Sequence, residues 1–574
     1  MRNRLKYIAG ALAVAMTAAA CTGGGGDESG GDSGGGEAYP RNETLYTSGT
    51  QWGPPSTWNP FMLGQYTTGT VGLAYEPLFL YDPLEGDYRP WLAESGEWTG
   101  EDVYEVTLRE GVEWSDGEAF TAEDVVFTIE MGQMETVHYH DVWEWLDSAE
   151  AVDERTVRFT FSDPRYQEWG QWIYRTPIVP QHIWQDRSEE EVTSGANEDP
   201  VGTGPYVYEA HDQDRMIWAK RDGWWAEDAL DLEVQPNYVI DLVNSSNETA
   251  LNQVMQGDLD LSNNFLPGIA EMVQGEGGVH TYYSEPPYML SANTSWLVMN
   301  TTKQPMDDAQ FRKAMAHAID VEQIVNGVYS QLVQKASPTG LLPMWEQYID
   351  QDVVDELGFS HDPEQAKELL ADAGYEDTND DGFVESPEGD PIELTLIVPS
   401  GWTDWMEAAR VISEGAQAAG INVVAEFPDQ NALFDQRASG DYDMLINNER
   451  QMSSSPWTYY EYMFQIPVKE SQTDVNFGRY ENEEAWELVE ELNRVSVDDT
   501  EAMKDIASQL QEIQLEEMPL IPLWYNGLWS QANESTWTNW PSADGDNTHI
   551  PATWHGYFQL GSILMLTELE PASE

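Results

Sequence analysis

The chain has 574 residues, too many for a single hydrophobic core, so two or three lobes are expected. It carries 103 Asp and Glu against 26 Lys and Arg, a formal net charge of −77 spread along its length. That balance excludes nucleic acid, whose phosphates need clustered Lys and Arg, and it suits a saline exterior, where molar salt cuts the Debye length to roughly 3 Å.

The N-terminus reads as an export signal. Arg2, Arg4 and Lys6 form a basic start, and residues 7–20 form an apolar run too short for a permanent membrane anchor. The run closes on Ala18-Ala19-Ala20, directly before Cys21, the one cysteine of the chain. Residues 1–20 are therefore expected to be a signal peptide, and Cys21 to carry lipid after cleavage. The rest of 21–39 is mostly Gly, Ser, Asp and Glu, a flexible tether with no apolar face to bury. With one cysteine an internal disulfide is excluded. No later stretch has about 18 unbroken apolar residues, so the body is expected to be soluble.

Leu45-Tyr46-Thr47 reads as a short strand running into the loop Ser48-Gly49-Thr50-Gln51-Trp52. Residues 104–108 and 155–161 alternate as strands do. Thr121 and Asp124 make a capping-box pattern opening a helix over 122–131. A strand over 258–261 leads to Asn263 and Asn264. The segment 308–328 places Phe311, Met315, Ala318 and Ile319 on one helical face. Asp362-Pro363 opens another helix, and Gly374 stops it. The clearest unit is a strand over 392–398, a helix over about 403–419 ended by Gly420, and a strand over 421–427. Strand, helix, strand is a crossover unit and requires a parallel sheet. A strand over 442–447 follows, and 523–526 reads as a late strand-to-loop passage. The stretch LNQVMQGDLDL at 251–261 is echoed by FDQRASGDYDM at 434–444. Each passes from helix through Gly-Asp into strand, which suggests two lobes built on similar α/β plans.

In open α/β sheets, ligands sit beyond the carboxyl ends of the strands. Trp52 follows the first strand, with Trp58 and Asn59 close behind. Asn264 follows 258–261. Trp402 follows 392–398, with Trp405 one turn into the helix. Arg450, Trp457 and Tyr459 follow 442–447, and Trp524 and Asn526 lie at the late passage. Any one of these tryptophans reads equally well as core. Their joint placement at strand ends from both halves points to a cleft that stacks flat rings on a ligand.

The stretch from Pro90-Trp-Leu-Ala-Glu94 through Leu108-Arg-Glu-Gly111 and Asp116-Gly117 to Phe120-Thr-Ala-Glu-Asp124-Val-Val-Phe127 closely resembles the signature of solute-binding protein family 5. These are the extracytoplasmic oligopeptide, dipeptide, nickel and oligosaccharide receptors of ABC importers. Gly202-Thr-Gly204-Pro205-Tyr206, Phe311-Arg312-Lys313-Ala314 with Ala318-Ile319-Asp320, and Ile521-Pro522-Leu523 resemble its later landmarks. The resemblance implies an α/β, two-lobe clamp of the periplasmic-binding-protein type (type II-like) with an extra small domain. Lobe I would combine 40–75, 201–290 and 515–574; the small domain would be 76–200; lobe II would be 291–514. It also implies a monomer held at the outer face of the membrane, working with ABC permease subunits and catalysing nothing.

For the ligand, peptide receptors of the family carry an aspartate after the strand equivalent to 442–447, paired with the peptide's amino terminus. Here the segment reads Asn447-Asn-Glu-Arg-Gln-Met-Ser-Ser-Ser-Pro-Trp457 and lacks it, although Glu449 is a substitute that keeps the peptide option open. The segments 49–60 and 400–405 look more like the oligosaccharide branch, notably receptors for cello-oligosaccharides and other β-glucosides. A pyranose offers an apolar C–H face to tryptophan and hydroxyls to amide and carboxylate partners. A secreted glycoside hydrolase is the reading from another class. With 103 carboxylates in the chain, acidic pairs occur everywhere and mark no active site.

Two further motifs bear on metals. Asp377-Thr-Asn379-Asp-Asp381-Gly382, with Glu388 at the twelfth position, fits the EF-hand loop pattern, so Asp377, Asn379, Asp381 and Glu388 are candidate ligands of a structural Ca²⁺. The alternative is an acidic turn in an acidic chain. His138 and His140 are a weaker pair for nickel or zinc, since alternate spacing suits only a strand. No cofactor is required by the sequence.

Overall fold

Four of the five residues of the strand Thr44–Ser48 are buried, the mark of a strand covered on both faces. It lies inside a seven-stranded sheet, ordered 279–280, 531–533, 261–262, 44–48, 238–242, 215–220 and 206–211. Thr44–Ser48 pairs in parallel with both Tyr238–Leu242 and Leu261–Ser262. The carboxyl ends of three strands therefore meet along one edge. The computed structural model describes residues 39–62, 64–273, 278–554 and 556–573. The export signal, Cys21 and nearly all of the tether lie outside the described residues.

A second sheet has six strands, ordered 334–335, 520–528, 290–299, 444–447, 394–397 and 423–426. Leu394–Ile397 pairs in parallel with Val423–Glu426 and with Met444–Asn447. The helix Thr403–Ala418 makes the crossover, as the hydrophobic pattern predicts. Leu290–Met299 and Leu520–Leu528 run antiparallel through the middle, and every residue of the second is buried. A smaller antiparallel sheet carries the strands Ala93–Trp98, Val103–Leu108, Thr156–Phe161 and Leu146–Ala151. The helix Ala122–Met131 packs beside it, and Thr121 and Asp124 close the expected reciprocal capping box. The result is a mixed α/β, two-lobe architecture with a small additional unit.

The two echoed stretches do fold alike. The helices Asn247–Gln256 and Gln430–Ser439 end at Gly257 and Gly440, with φ of 75° and 77°. Only glycine takes that left-handed turn without strain. Each chain then enters its sheet, at Leu261–Ser262 and Met444–Asn447.

Three expectations differ from the structure. The helix expected through 308–328 stops at Ala318, because Ile319 is extended and Asp320 starts a new turn by accepting from the Gln323 N–H. Trp524 and Asn526 lie inside Leu520–Leu528, not beyond its end, since the strand continues along Leu290–Met299. The segment 515–574 is not all of one lobe. Leu520–Leu528 belongs to the second sheet and Gln531–Asn533 to the first, so the chain crosses between them at 529–530.

Candidate functional site

The loop after the first strand is held against the neighbouring strand end. At Gly49 (φ 112°) an added Cβ would lie 2.7 Å from the Asn263 and Asn264 backbone, so only glycine fits. Gln51 then fixes the loop: its Oε1 accepts from the Thr68 N–H at 3.1 Å and its carbonyl from the Asn244 N–H at 2.7 Å. Trp52 stands out from this anchor, 48% exposed, the largest apolar side chain left open to solvent among the described residues. Asn264 is buried; it accepts from the Ser262 hydroxyl at 2.6 Å and donates to Asn247 at 2.8 Å. Asn263 donates to the Trp529 carbonyl at 2.6 Å, joining the first sheet to the crossing segment.

On the second sheet, half-buried Trp402 opens its helix and meets buried Trp405 edge-on at 4.9 Å. Between them Asp404 is buried and accepts from the Tyr329 hydroxyl at 3.1 Å. Burial pushes Asp404 up to about 6, against the opposing pull of that hydrogen bond. Tyr329 stacks on Trp529 and contacts Trp524, and Phe265, one residue past Asn264, packs on both Tyr329 and Trp529. Trp402, Trp405, Trp524 and the neighbour of Asn264 are thereby brought to one junction between the sheets.

The crossing strands supply polar groups at the same junction. Asn293 and Asn526 face each other directly across the ladder. Both are buried, and the Oδ1 of each lacks a hydrogen-bond partner, as do Ser295 Oγ and Trp524 Nε1. Asn263 Oδ1 and Asn244 Nδ2, from the first sheet, are unpartnered too. Buried polar atoms without partners are uncommon and costly. Asn293, Ser295, Trp524 and Asn526 lie within the paired crossing strands, and Asn244 and Asn263 just past strand ends of the first sheet.

A cavity of about 620 Å³ opens beside the crossing strands, within the range of small-molecule sites. Leu84, Pro286, Pro287, Leu290, Met344 and Met452 give it apolar walls; Ser291, Gln334, Glu285 and Asp544 add polar atoms, and no Lys, Arg or His lines it. Ser291 accepts from Gln334 at 3.2 Å and lies two residues from Asn293. None of the residues singled out from the sequence lines this cavity. Asn293, Ser295, Gln334 and Met452 were not legible beforehand. For Asn293 and Ser295 the one signal is the polar stretch 291–295 leading into the apolar Trp296–Met299 end of a buried strand, informative only once the crossing is known.

Several expected ligand contacts are instead structural. Trp58 is buried, with its indole N–H on the Met216 sulfur and its ring on Tyr208 and His211. Asn59 spends its amide on the Val192 and Gly195 carbonyls and on the Phe61 N–H. Trp457 is buried in the core around Tyr459. Tyr459 packs between Trp296 and Trp345, and its hydroxyl accepts from the Thr294 N–H. Arg450 is paired with Glu461 at 3.3 Å and Asp474 at 3.2 Å. Glu449 is paired with Arg437. Glu449, Arg450, Trp457 and Tyr459 share one reason: the segment after Asn447 turns back into the helix Trp457–Phe464 and its neighbours.

In the acidic loop the structure groups a different set of carboxylates from the one the motif names. The carboxylates of Asp377, Asp381 and Glu385 converge, with ligand atoms within 4.8 Å of one another. Glu388 is exposed and outside this group. Glu385 pairs with Glu376 as an isolated bridge, which folds the chain back early and buries the Glu385 side chain under the loop. There it accepts from the Thr378 N–H at 2.7 Å and from Asn379 at 2.6 Å. His138 is exposed, and His140 Nδ1 lies 2.8 Å from the Gly132 carbonyl. Neither belongs to a cluster of three or more potential metal ligands among the described residues.

Residues 87–468 match the model of the bacterial extracellular solute-binding proteins, family 5. The chain is 25% identical to the oligopeptide-binding protein AppA of Bacillus subtilis over 448 residues, 76% of this chain and 77% of that one. Its fold superposes on the periplasmic oligopeptide-binding protein of an oligopeptide ABC transporter from Thermotoga maritima with a TM-score of 0.89 and 44% identity, covering 93% of this chain and 100% of that one. The same Thermotoga protein with mannohexaose bound gives a TM-score of 0.87, again at 44% identity, covering 94% and 100%.

Proposed function

The chain belongs to family 5 of the bacterial extracellular solute-binding proteins, the substrate-binding components of ABC importers, and on that premise we propose that its solute is an uncharged oligosaccharide of the cello-oligosaccharide or β-glucoside type. The carrying observation is the paired state of the charges that follow the strand Met444–Asn447. A peptide presents an ammonium and a carboxylate, each needing a partner when desolvated. Glu449 is held by Arg437, Arg450 by Glu461 and Asp474, and no basic residue lines the cavity. Among the uncharged groups left open are the amide oxygens of Asn293, Asn526 and Asn263 and the indole of Trp52, while Glu285 and Asp544 add carboxylates to the cavity wall. Hydroxyls satisfy such acceptors, and sugar C–H faces pack on indole. The mannohexaose bound by the Thermotoga relative supports this reading. An oligopeptide is the second reading, favoured by the oligopeptide-binding relative from Bacillus.

In this proposal Trp52 and Trp402, from different lobes, hold the solute between them when the lobes approach. Asn264, Trp405, Trp524 and Asn526 shape the floor beneath it. Cys21 anchors the protein by lipid, 21–39 is its tether, and it acts as a monomer. Calorimetry with cello-oligosaccharides and mannohexaose, against tri- to pentapeptides, tests the solute class. Trp52→Ala and Trp402→Ala should each weaken sugar binding roughly 10- to 100-fold, the scale of losing 1–3 kcal/mol of apolar burial. Peptide binding with no sugar binding would reject the oligosaccharide reading.

We also propose that the loop 377–385 holds Ca²⁺ through Asp377, Asn379, Asp381 and Glu385, as a structural ion away from the cleft. Calcium at about 100 times its Kd should then add about 2.7 kcal/mol of stability. Asp377→Ala with Glu385→Ala should abolish that gain and leave solute affinity unchanged. An unfolding midpoint indifferent to Ca²⁺ would remove the site.

A further inference from the structure

The small unit touches both sheets, but through two different kinds of contact. Toward the first sheet it is built in. Its chain enters and leaves beside Leu73 and Ala74, where the Gly204 N–H donates to the Ala74 carbonyl at 2.8 Å and the Tyr206 N–H to the Leu73 carbonyl at 3.1 Å. A Cβ at Gly202 or Gly204 would lie 1.9 or 2.1 Å from those carbonyls. Buried Glu76 accepts from the Trp91 indole on one side and the Trp225 indole on the other, at 3.0 and 2.8 Å. These contacts are backbone and buried aromatic, and they do not part without local unfolding.

Toward the second sheet the small unit offers the helix Tyr166–Arg175 and Asp163 just before it; beside a shared buried apolar cluster, the hydrogen bonds across this face are made by polar side chains. Gln171 donates to the Ser454 hydroxyl at 2.7 Å, and the Ser454 N–H donates to the Tyr174 hydroxyl at 3.3 Å. The Glu168 N–H donates to Asn493 at 3.0 Å, and Asn493 donates back to the Glu168 carboxylate at 3.1 Å. Gln167 donates to the Val495 carbonyl at 2.8 Å. Arg494 forks onto Asp163 at 2.7 and 3.0 Å. All are groups that water can replace when the surfaces separate. Ser454 stands two residues past Met452, which lines the cavity and donates its N–H to the Ala292 carbonyl at 2.8 Å.

We propose that this face is a closure latch: Gln171, Glu168 with Asn493, and Asp163 with Arg494 join when the lobes close on a solute and part when they open. They set solute affinity without touching the solute, because each bond counts only toward the closed population. They are positioning residues, and through Ser454 they fix the cavity wall at Met452. The inference rests on the solute-binding reading above, but not on the identity of the solute.

The test is a charge swap. Asp163→Arg alone sets two cations face to face and should open the latch; adding Arg494→Asp should restore it. Gln171→Ala is the uncharged counterpart. With mannohexaose as probe, Asp163→Arg and Gln171→Ala should each weaken binding roughly 2- to 10-fold through faster dissociation, the range of one hydrogen bond or ion pair. The association rate and the unfolding midpoint should hold. Without any solute, both variants should show a larger radius of gyration in solution scattering and faster amide exchange at 452–455 and 493–495. The swapped double variant should return all of these toward wild type. If mannohexaose fails to bind even the wild type, the solute reading falls, while the scattering and exchange still decide the latch. Variants with wild-type radius and exchange, or a double variant as impaired as Asp163→Arg, would overturn it.

Discussion

Arg312→Ala is expected to destabilise the protein by on the order of 3–5 kcal/mol, the scale of removing one partner from a buried charged network. Arg312 is 2% exposed, and its guanidinium donates to three carbonyls: Met306 at 2.8 Å, Met518 at 3.1 Å, and Glu517, which accepts from both Nε and Nη2. Burial lowers its pKa, and the nearby Glu517 carboxylate and Tyr480 act in the other direction. The setting explains the residue. The helix Thr500–Glu517 ends there, with Met518 left-handed at φ 46°, two residues before the crossing strand Leu520–Leu528 begins. A cation at a helix carboxyl end offsets the negative end of its dipole and satisfies the last carbonyls. Arg312→Lys should recover little, since an ammonium cannot reach three carbonyls as a planar fork does. Urea unfolding of both variants, beside Lys313→Ala on the same helix, measures the effect. A loss of under about 1 kcal/mol for Arg312→Ala, typical of surface positions, would mean the network is not needed.

Asp241→Asn should do the reverse at neutral pH and above. Asp241 is fully buried at the end of Tyr238–Leu242; its Oδ1 accepts from the Thr47 hydroxyl at 2.8 Å, and its Oδ2 has no partner. Burial pushes it up to about 7, opposed by the hydrogen bond from the Thr47 hydroxyl. The folded state thus holds this proton more tightly than the unfolded chain, whose aspartates titrate near 3.9. Between those values the folded state binds more protons. Stability from this group is full below about pH 4 and is lost as pH rises through about 7. The loss has a limiting slope of about 1.4 kcal/mol per pH unit. Asparagine keeps the shape and cannot ionise. The stability difference, variant minus wild type, should therefore climb with pH from 4 to 8 by on the order of a few kcal/mol. Asp404 and Glu461 are also raised by burial, but they are common to both proteins and cancel. Parallel pH profiles would show that Asp241 is ionised at no cost, and so solvated in a way this geometry does not suggest.

Local rules were legible where local physics decides. The capping box at Thr121, the helix begun by Asp362-Pro363, and the parallel unit around Thr403–Ala418 all follow from spacing of a few residues, and they stand where the pattern puts them. The strand-end rule placed Trp52, Asn264 and Trp402 past strand ends, where the structure also has them. It failed at Trp58, Asn59 and Tyr459, because proximity in sequence to a strand end does not say whether the chain then turns outward or dives into the core. Burial is a long-range property, and each of these side chains is claimed by partners more than a hundred residues away. Asn293 and the cavity at Ser291 depend on which strands cross, which local pattern does not report. The acidic loop shows the same in miniature: the motif counts to Glu388, while the bridge at Glu376 brings Glu385 beside Asp377 and Asp381.

The place of Gln531–Asn533 has a consequence for how the molecule is made. This strand lies between Val279–His280 and Leu261–Ser262, so the edge of the first sheet is a gap until the last tenth of the chain arrives. Leu520–Leu528, from the same late stretch, is likewise the partner along which Leu290–Met299 must lie. A chain emerging amino end first holds both sheets unfinished for most of its synthesis. It offers unpaired strand edges but no completed core, the long-range pairing that slows folding most. That order suits a protein that has to cross a membrane as an extended thread before it folds. It also makes the carboxyl end the step that commits the whole body at once: a chain cut short before residue 520 would leave two open sheets, not one intact lobe and one missing.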